Sequence, residues 1–312
     1  MSNFLENKNI SITGGEGFLG QYVKAALEKK NYKKISIVQH KKYNLIDNCD
    51  VKKMYHDQKP DIVFHLAASV GGMEINKKNP GKFFYENAMI NLQVIHEGYL
   101  NKVEKIISTG TVSAYPGKAP LPFSEKNIWD GLPEDANAPY GIAKRIMHVQ
   151  SKSYRKQYGF NSILLLLTNL YGPGDNFNPD SSHVIASLVR RFHNAKVKNE
   201  KEVIVWGNGK STRDFCYVED VAEGIVLAAE QYNESEPVNL ASGNEVAVEE
   251  IAELIKKKTG YKGNIVWDQR KPTGPQRRVI DISKAKKEFG YRVKTNLAEG
   301  IDKTIHWYKK QN

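Results

Sequence analysis

The chain reads TGGEGFLG over residues 13–20, between a short apolar run and a segment with apolar residues at helical spacing. The apolar run at 9–13 predicts a strand, and Val23, Ala26 and Leu27 continue a helical pattern after the glycines. Glycines between a first strand and a helix let the backbone approach a pyrophosphate, which binds at the free N–H groups of the helix N-terminus. The stretch therefore predicts a dinucleotide site. The residues expected to contact the cofactor here are Gly14, Gly17, Phe18, Leu19 and Gly20.

Strands and helices keep alternating after this turn. Apolar runs at 34–38, 61–66, 105–109 and 162–167 predict further strands, and helical patterns at 83–99 and 140–156 lie between them. This repeat predicts an α/β fold with a Rossmann-type, doubly wound parallel sheet. The alternation stops after residue 168, so we expect a smaller, mostly C-terminal α/β lobe for the substrate. The predicted dinucleotide-binding domain covers 1–168 and 216–241, and the substrate domain covers 169–215 and 242–312.

The residues after the second predicted strand bear on the choice of cofactor. An enzyme that uses NAD usually has an acid here for the ribose hydroxyls, whereas this chain has His40 and Lys41. These basic residues favour the additional phosphate of NADP. Glu16, inside the glycine turn, argues for NAD because its carboxylate would repel that phosphate. We expect NADP(H) over NAD(H), lying across a small residue, Ala67, after the third strand.

Four side chains with acid–base or hydrogen-bonding capacity follow the cofactor segments. Tyr140 and Lys144 are four residues apart at the start of a predicted helix, so they share a helix face. A nearby ammonium favours a phenolate, which predicts a lowered pKa for Tyr140 and a usable proton donor. Thr111 and Ser113 follow the fourth strand, at the carboxyl edge of the sheet where parallel sheets bind their ligands. Their hydroxyls can donate to a substrate carbonyl.

The composition indicates a soluble protein with ordinary surfaces. The formal net charge is +11, but the lysines form small clusters without interleaved aromatic residues, which argues against nucleic-acid binding. No apolar run approaches the ~20 residues of a membrane span, and the start lacks the order of a secretory signal. Two cysteines, Cys49 and Cys216, suit a reducing cytoplasm, and the scattered histidines predict no metal site. We therefore expect a cytoplasmic protein without membrane, nucleic-acid or metal partners.

With these motifs the chain resembles the extended short-chain dehydrogenase/reductase family, the NAD-dependent epimerase/dehydratase family, over nearly its whole length. Within it, the chain is most similar to the GDP-L-fucose synthases. The glycine turn is shared widely, and the more selective motifs lie after it. They are NLYGP at 169–173, NF at 176–177, SHVI at 182–185, RRF at 190–192, VWG at 205–207 and Arg213.

The resemblance implies an NADP-dependent epimerase/reductase that acts on the C4 ketone of a GDP-4-keto-6-deoxy sugar. It implies that the second domain binds a nucleotide sugar, and that the protein is a homodimer formed through a helix pair that includes the Tyr140 helix. The implied catalytic residues are Tyr140, Lys144, Thr111, Ser113 and His183. The implied substrate-binding residues are Asn169, Arg191, Trp206, Arg213 and Lys271. Among these, the two arginines hold the diphosphate and the tryptophan packs on guanine.

Two positions depart from the family pattern. Ser113 stands where the family has a cysteine that completes epimerisation with His183, and an alcohol is a poorer acid or base than a thiol of pKa about 8.5. Residues 271–274 read KPTG where the family reads KPDG, so an acid near the sugar is lost. Three functions therefore stay open: an epimerase/reductase, a C4 reductase of a GDP-4-keto sugar without inversion, and a catalytically silent nucleotide-sensing protein.

Overall fold

The computed structural model describes residues 4–71, 78–270 and 276–311. The strands are β1 (Ile10–Thr13), β2 (Ile35–Val38), β3 (Ile62–His65), β4 (Lys105–Thr111), β5 (Ser162–Leu167), β6 (Asn169–Tyr171), β7 (Glu202–Trp206), β8 (Thr212–Arg213), β9 (Phe215–Tyr217), β10 (Val238–Leu240), β11 (Val246–Ala247) and β12 (Asn264–Asp268). The helices are α1 (Phe18–Lys29), α2 (Asn48–Gln58), α3 (Pro80–Leu100), α4 (Ala138–Tyr158), α5 (Val184–Val197), α6 (Val218–Gln231), α7 (Val248–Thr259), α8 (Ser283–Phe289) and α9 (Leu297–Gln311).

A six-stranded sheet forms the centre of the fold, in the order β2-β1-β3-β4-β5-β10. Every neighbouring pair is parallel. Helices α1 and α6 pack against each other, as do α3 and α4. The strands β3 and β5 are buried along their whole length, as expected for a parallel sheet that is covered on both faces. The predicted α/β, Rossmann-type doubly wound sheet is confirmed.

The chain order places a crevice beside the glycine turn. From β1 the chain moves to β2 on one side, and β3 then pairs with the other side of β1. Parallel sheets bind ligands at the carboxyl ends of strands where the order reverses in this way. Thr13 and His65 are register partners at these ends. The cofactor turn and the end of β3 are therefore adjacent.

Two clusters of buried apolar side chains stabilise the fold. One surrounds the six-stranded sheet, and the other joins α5, α7, α9 and β7 through residues such as Phe192, Ile251 and Ile305. Ile280 and Tyr291 pack into the first cluster although they lie in the range predicted for the second domain. The domain boundaries stay a prediction.

Over the three described ranges, no helix combines the length and the apolar character that crossing a bilayer requires. Within the same ranges, no group of three histidine, cysteine or acidic side chains is arranged to hold a metal ion. Cys49 is exposed, Cys216 is buried, and both are free thiols.

Candidate active site

The turn after β1 brings backbone groups together too closely for side chains. Gly14 has a φ of +70°, and a Cβ there would lie 2.9 Å from the Ala67 nitrogen. A Cβ on Gly20 would collide with the Gly14 carbonyl oxygen. Gly17 is the N-cap of α1, and Phe18 and Leu19 begin its first turn. No side chain makes a capping hydrogen bond at this end of the helix. The first-turn N–H groups can therefore bind an anion, which fits the pyrophosphate of a dinucleotide.

Charged residues of both signs lie near the carboxyl end of β2, the part of a Rossmann-type sheet where the adenosine ribose of a dinucleotide is expected. The Glu16 carboxylate accepts a hydrogen bond from the His40 backbone N–H, with 3.3 Å between Oε2 and the nitrogen. The side chains of Glu16, His40 and Lys41 are all exposed. Since β2 ends at Val38, these residues lie at its carboxyl end. This end of the strand therefore carries a lysine that would attract an additional phosphate and a carboxylate that would repel it.

Tyr140 and Lys144 lie in the first turns of α4, as predicted. Lys144 is only 2% exposed. Its Nζ lies 5.9 Å from the centroid of the Tyr140 ring and donates to the Thr109 carbonyl oxygen at 3.1 Å. Burial lowers the pKa of Lys144 to about 8 and raises that of Tyr140 to about 12. The predicted lowering of the Tyr140 pKa is wrong, because the protein around the phenol excludes water and disfavours the phenolate. Tyr140 keeps its proton at neutral pH, as a proton donor must.

The two predicted hydroxyls lie beside this helix. The Thr111 Oγ1 accepts a hydrogen bond from the Ser113 backbone N–H at 3.1 Å, which caps a single 3-10 turn. A Cβ on Gly141 would lie 2.8 Å from the Ser113 carbonyl oxygen, so α4 touches this turn one residue beyond Tyr140. The end of β4 and the start of α4 therefore form one surface, called here the Tyr140 surface, that carries Thr111, Ser113, Tyr140 and Lys144.

A buried hydrogen-bond chain supports the Tyr140 surface. Thr13 Oγ1 and His65 Nδ1 are 2.8 Å apart, and His65 Nε2 lies 3.1 Å from Asn91 Oδ1. The Asn91 amide nitrogen donates to the Ala143 carbonyl oxygen at 3.0 Å, one residue before Lys144. Burial, with the nearby Lys144 charge, lowers the pKa of His65 to about 3, so its imidazole is neutral. No sequence motif predicts this series of hydrogen bonds, because the residues that form it come from four separate elements.

His183 and Asn169 belong to elements other than those that form the Tyr140 surface. His183 directly precedes α5 as its N-cap and is exposed. The protein around the imidazole limits its hydration and lowers its pKa. Asn169 lies in β6 and donates to the Asp214 carbonyl oxygen at 3.0 Å. Within the described residues, no hydrogen bond or ion pair joins His183 to the Tyr140 surface.

Arg191 and Trp206 form a pair suited to a nucleotide. The Arg191 guanidinium lies 5.8 Å from the Trp206 ring centroid and donates to the Ile204 carbonyl oxygen at 2.8 Å. Trp206 ends β7 and is 42% exposed, which leaves room for a base to stack on it. A planar guanidinium beside an aromatic ring can also bind a phosphate. The predicted Lys271 lies outside the described residues.

Arg278 links Arg213 to the Tyr140 surface. Its Nη1 donates to Ser113 Oγ at 3.3 Å, and its Nη2 donates to Glu134 Oε2 at 3.0 Å. Burial and the Arg278 charge lower the pKa of Arg213 to about 10. No motif in the sequence marks Arg278 or Glu134, since their contacts depend on residues far apart along the chain. Ser113 and Arg213 thus both lie near Arg278, which pairs with Glu134, and neither Arg278 nor Glu134 was predicted.

The chain is similar to known proteins in both sequence and fold. GDP-L-fucose synthase 1 of Arabidopsis thaliana is 36% identical over 98% of this chain and 94% of its own length. A GDP-6-OMe-4-keto-L-xylo-heptose reductase from C. jejuni is 28% identical, with a TM-score of 0.94 over 100% of both chains. A GDP-L-fucose synthetase from Naegleria fowleri bound to NADP is 27% identical, with a TM-score of 0.86 over 97% of this chain and 94% of its own. The sequence model of the NAD dependent epimerase/dehydratase family matches residues 10–241. The chain belongs to the NAD dependent epimerase/dehydratase family.

Proposed function

We propose that this protein uses NADPH to reduce the C4 ketone of a GDP-4-keto-6-deoxy sugar after inverting C3 and C5. The observation that carries the proposal is the placement of Tyr140 and Lys144 beside Thr111, next to a glycine turn that fits a dinucleotide. The similarity to a protein named GDP-L-fucose synthase supports the substrate class. A catalytically silent protein would not need a half-buried tyrosine beside a buried lysine at this place.

NADP(H) is the proposed cofactor, in preference to NAD(H). Exposed His40 and Lys41 at the ribose end support it, as does the related structure from Naegleria fowleri with NADP bound. When bound, the nicotinamide supplies the hydride. The glycine turn and the first turn of α1 would hold the pyrophosphate, and Lys144 the nicotinamide ribose.

For the reduction, the Tyr140 surface supplies the proton. The Tyr140 hydroxyl donates its proton to the C4 oxygen as that oxygen gains negative charge, and Thr111 donates a hydrogen bond to the same oxygen. Lys144 stabilises the phenolate that is left behind. Because the pKa of Tyr140 lies near 12 without ligands, the phenol stays protonated until the substrate oxygen needs the proton.

For the epimerisation, two groups must act on opposite faces of the sugar ring. Hydrogens on C3 and C5 are acidic because the C4 ketone delocalises the charge that their removal creates. His183 is neutral near pH 7 because its pKa is lowered, so it can accept a proton. Ser113 lies against the start of α4, beside the reduction site, and is the second group.

The nucleotide part of the substrate is assigned to the second lobe. Trp206 packs on the guanine, and Arg191 and Arg213 bind the diphosphate. Asn169 contacts the sugar, and Lys271 completes this set. We also propose the domain boundaries 1–168 with 216–241 for the cofactor and 169–215 with 242–312 for the nucleotide sugar.

We propose a cytoplasmic homodimer formed through α3 and α4. These helices pack together and expose large apolar side chains at Leu92, Leu100, Val149 and Tyr158. Such a face is suited to a second copy of the chain. The two free thiols fit a reducing compartment.

Tyr140→Phe tests the proposed reduction. NADPH oxidation with GDP-4-keto-6-deoxymannose should fall by about 10²–10⁴-fold, the usual contribution of a general acid. NADPH binding, followed by fluorescence titration, should change little. Tyr32→Phe, which removes a hydroxyl that donates to Glu230 just after α1, is the matched control. Near-normal turnover by a folded Tyr140→Phe protein would reject the proposal.

A further inference from the structure

We propose that Arg278 is a positioning residue for epimerisation, which holds Ser113 so that its hydroxyl delivers the second proton to the sugar. The inference rests on the proposed function, and it concerns the step for which an unaided alcohol is poorly suited. Arg278 lies within hydrogen-bonding distance of Ser113, at 3.3 Å between Nη1 and Oγ.

The direction of this hydrogen bond decides what Ser113 can do. A guanidinium has only donors, so the Ser113 oxygen must accept from Arg278. The hydroxyl proton is then directed to another acceptor, such as a substrate atom. A cation beside an oxygen also stabilises negative charge on it, which makes the hydroxyl a stronger acid. Arg278 thus gives the Ser113 hydroxyl part of the acidity that a thiol has without help.

Arg278 is held in place from several directions. Its backbone N–H donates to the Thr212 carbonyl oxygen at 3.1 Å, and the next residue, Val279, accepts from the Phe123 N–H at 2.8 Å. Its side chain is 12% exposed and pairs with Glu134 at 3.0 Å. A group fixed before the reaction needs no rearrangement as charge develops, which is the condition for effective electrostatic support. The Glu134 carboxylate also offsets the cost of burying the guanidinium.

The proton transfers balance without a further reactant. His183 takes a proton from the sugar carbon, and the electron pair of that C–H bond moves toward the C4 oxygen as an enolate. The Ser113 O–H bond breaks as a new C–H bond forms on the other face, leaving an alkoxide beside Arg278. Water returns a proton to Ser113, and the His183 imidazolium releases one to water. No electrons leave or enter the substrate.

The experiment separates inversion from hydride transfer. Inversion is measured without NADPH, as the appearance of inverted, deuterium-labelled keto sugar in deuterium oxide by NMR. Hydride transfer is measured as NADPH oxidation with keto sugar that the wild-type protein has already equilibrated. Arg278→Gln should lower the inversion rate by about 10–100-fold, equal to one or two pKa units on Ser113, and change hydride transfer by less than about threefold.

Three further variants complete the design. Arg278→Lys keeps a buried charge beside Glu134 and should give an intermediate inversion rate. Ser113→Cys in the Arg278→Gln protein should restore much of the inversion, because a thiol is the stronger acid. Arg277→Gln removes the neighbouring exposed arginine, which pairs with Glu245, and should leave both rates unchanged.

Two results would overturn the assignment of Arg278. One is normal inversion in the Arg278→Gln protein, and the other is an equal loss of inversion and hydride transfer, which would make Arg278 a general sugar-binding residue. Wild-type protein that oxidises NADPH but never inverts the sugar would instead reject the proposed epimerisation, and the inference with it.

Discussion

Lys144→Met should slow the reduction by about 100-fold while the protein stays folded. The Lys144 Nζ lies 5.9 Å from the Tyr140 ring centroid. With the phenolate charge placed at the ring centroid and an effective dielectric constant of about 20, one positive charge at that distance stabilises the phenolate by about 2.8 kcal/mol, or about two pKa units. That energy corresponds to roughly a hundredfold in the rate of proton donation. Methionine has a similar length and no charge, and it is readily buried where Lys144 is.

The assay is a single turnover of NADPH with saturating 4-keto sugar and with enzyme in excess, well above the dissociation constant of NADPH, so that weaker cofactor binding does not enter the rate. Lys156→Met is the matched control, because Lys156 is exposed near the end of the same helix. Thermal melting by circular dichroism establishes that each variant is folded. A Lys144→Met rate within about threefold of wild type would refute the role assigned to this charge.

Three other outcomes follow from the structure. Glu16→Gln should raise the ratio of kcat/KM for NADPH to kcat/KM for NADH by about tenfold. The reason is that it removes the negative charge that lies beside His40, at the proposed ribose site. Trp206→Ala should raise KM for the GDP-sugar about tenfold with little change in kcat, as loss of base stacking predicts. His65 is neutral when folded, with a pKa about 3 against 6.5 when unfolded, so the unfolded chain binds the extra proton. The free energy of unfolding should therefore fall by about 1.4 kcal/mol per pH unit as pH drops below 6.5. Urea titrations at several pH values measure this slope, which should be smaller in the His65→Gln protein.

Local patterns predicted the cofactor half of the protein well. The glycine turn, the sheet and the Tyr140 helix each depend on residues close together in the chain, where spacing reports which side chains share a face. The sixth strand, Val238–Leu240, was not predicted, because three residues are too few for a pattern and its pairing with β5 comes from distant sequence.

The chemistry of the site was harder to predict than its location. Spacing placed Lys144 beside Tyr140 correctly, but spacing does not show how deeply a phenol is buried, and burial sets its pKa. Likewise, Arg278 contacts Ser113 only because the segment after residue 275 returns to the strand that carries Arg213. Contacts of this kind come from the folded chain, and no single stretch of sequence contains them.

The central claim is that one site inverts and then reduces a GDP-4-keto-6-deoxy sugar. The most direct measurement incubates the protein with GDP-4-keto-6-deoxymannose and NADPH in deuterium oxide and identifies the product by NMR. We expect one NADPH oxidised per product, with deuterium at inverted C3 and C5. Oxidation of NADPH that yields a product without deuterium at either carbon would contradict the account.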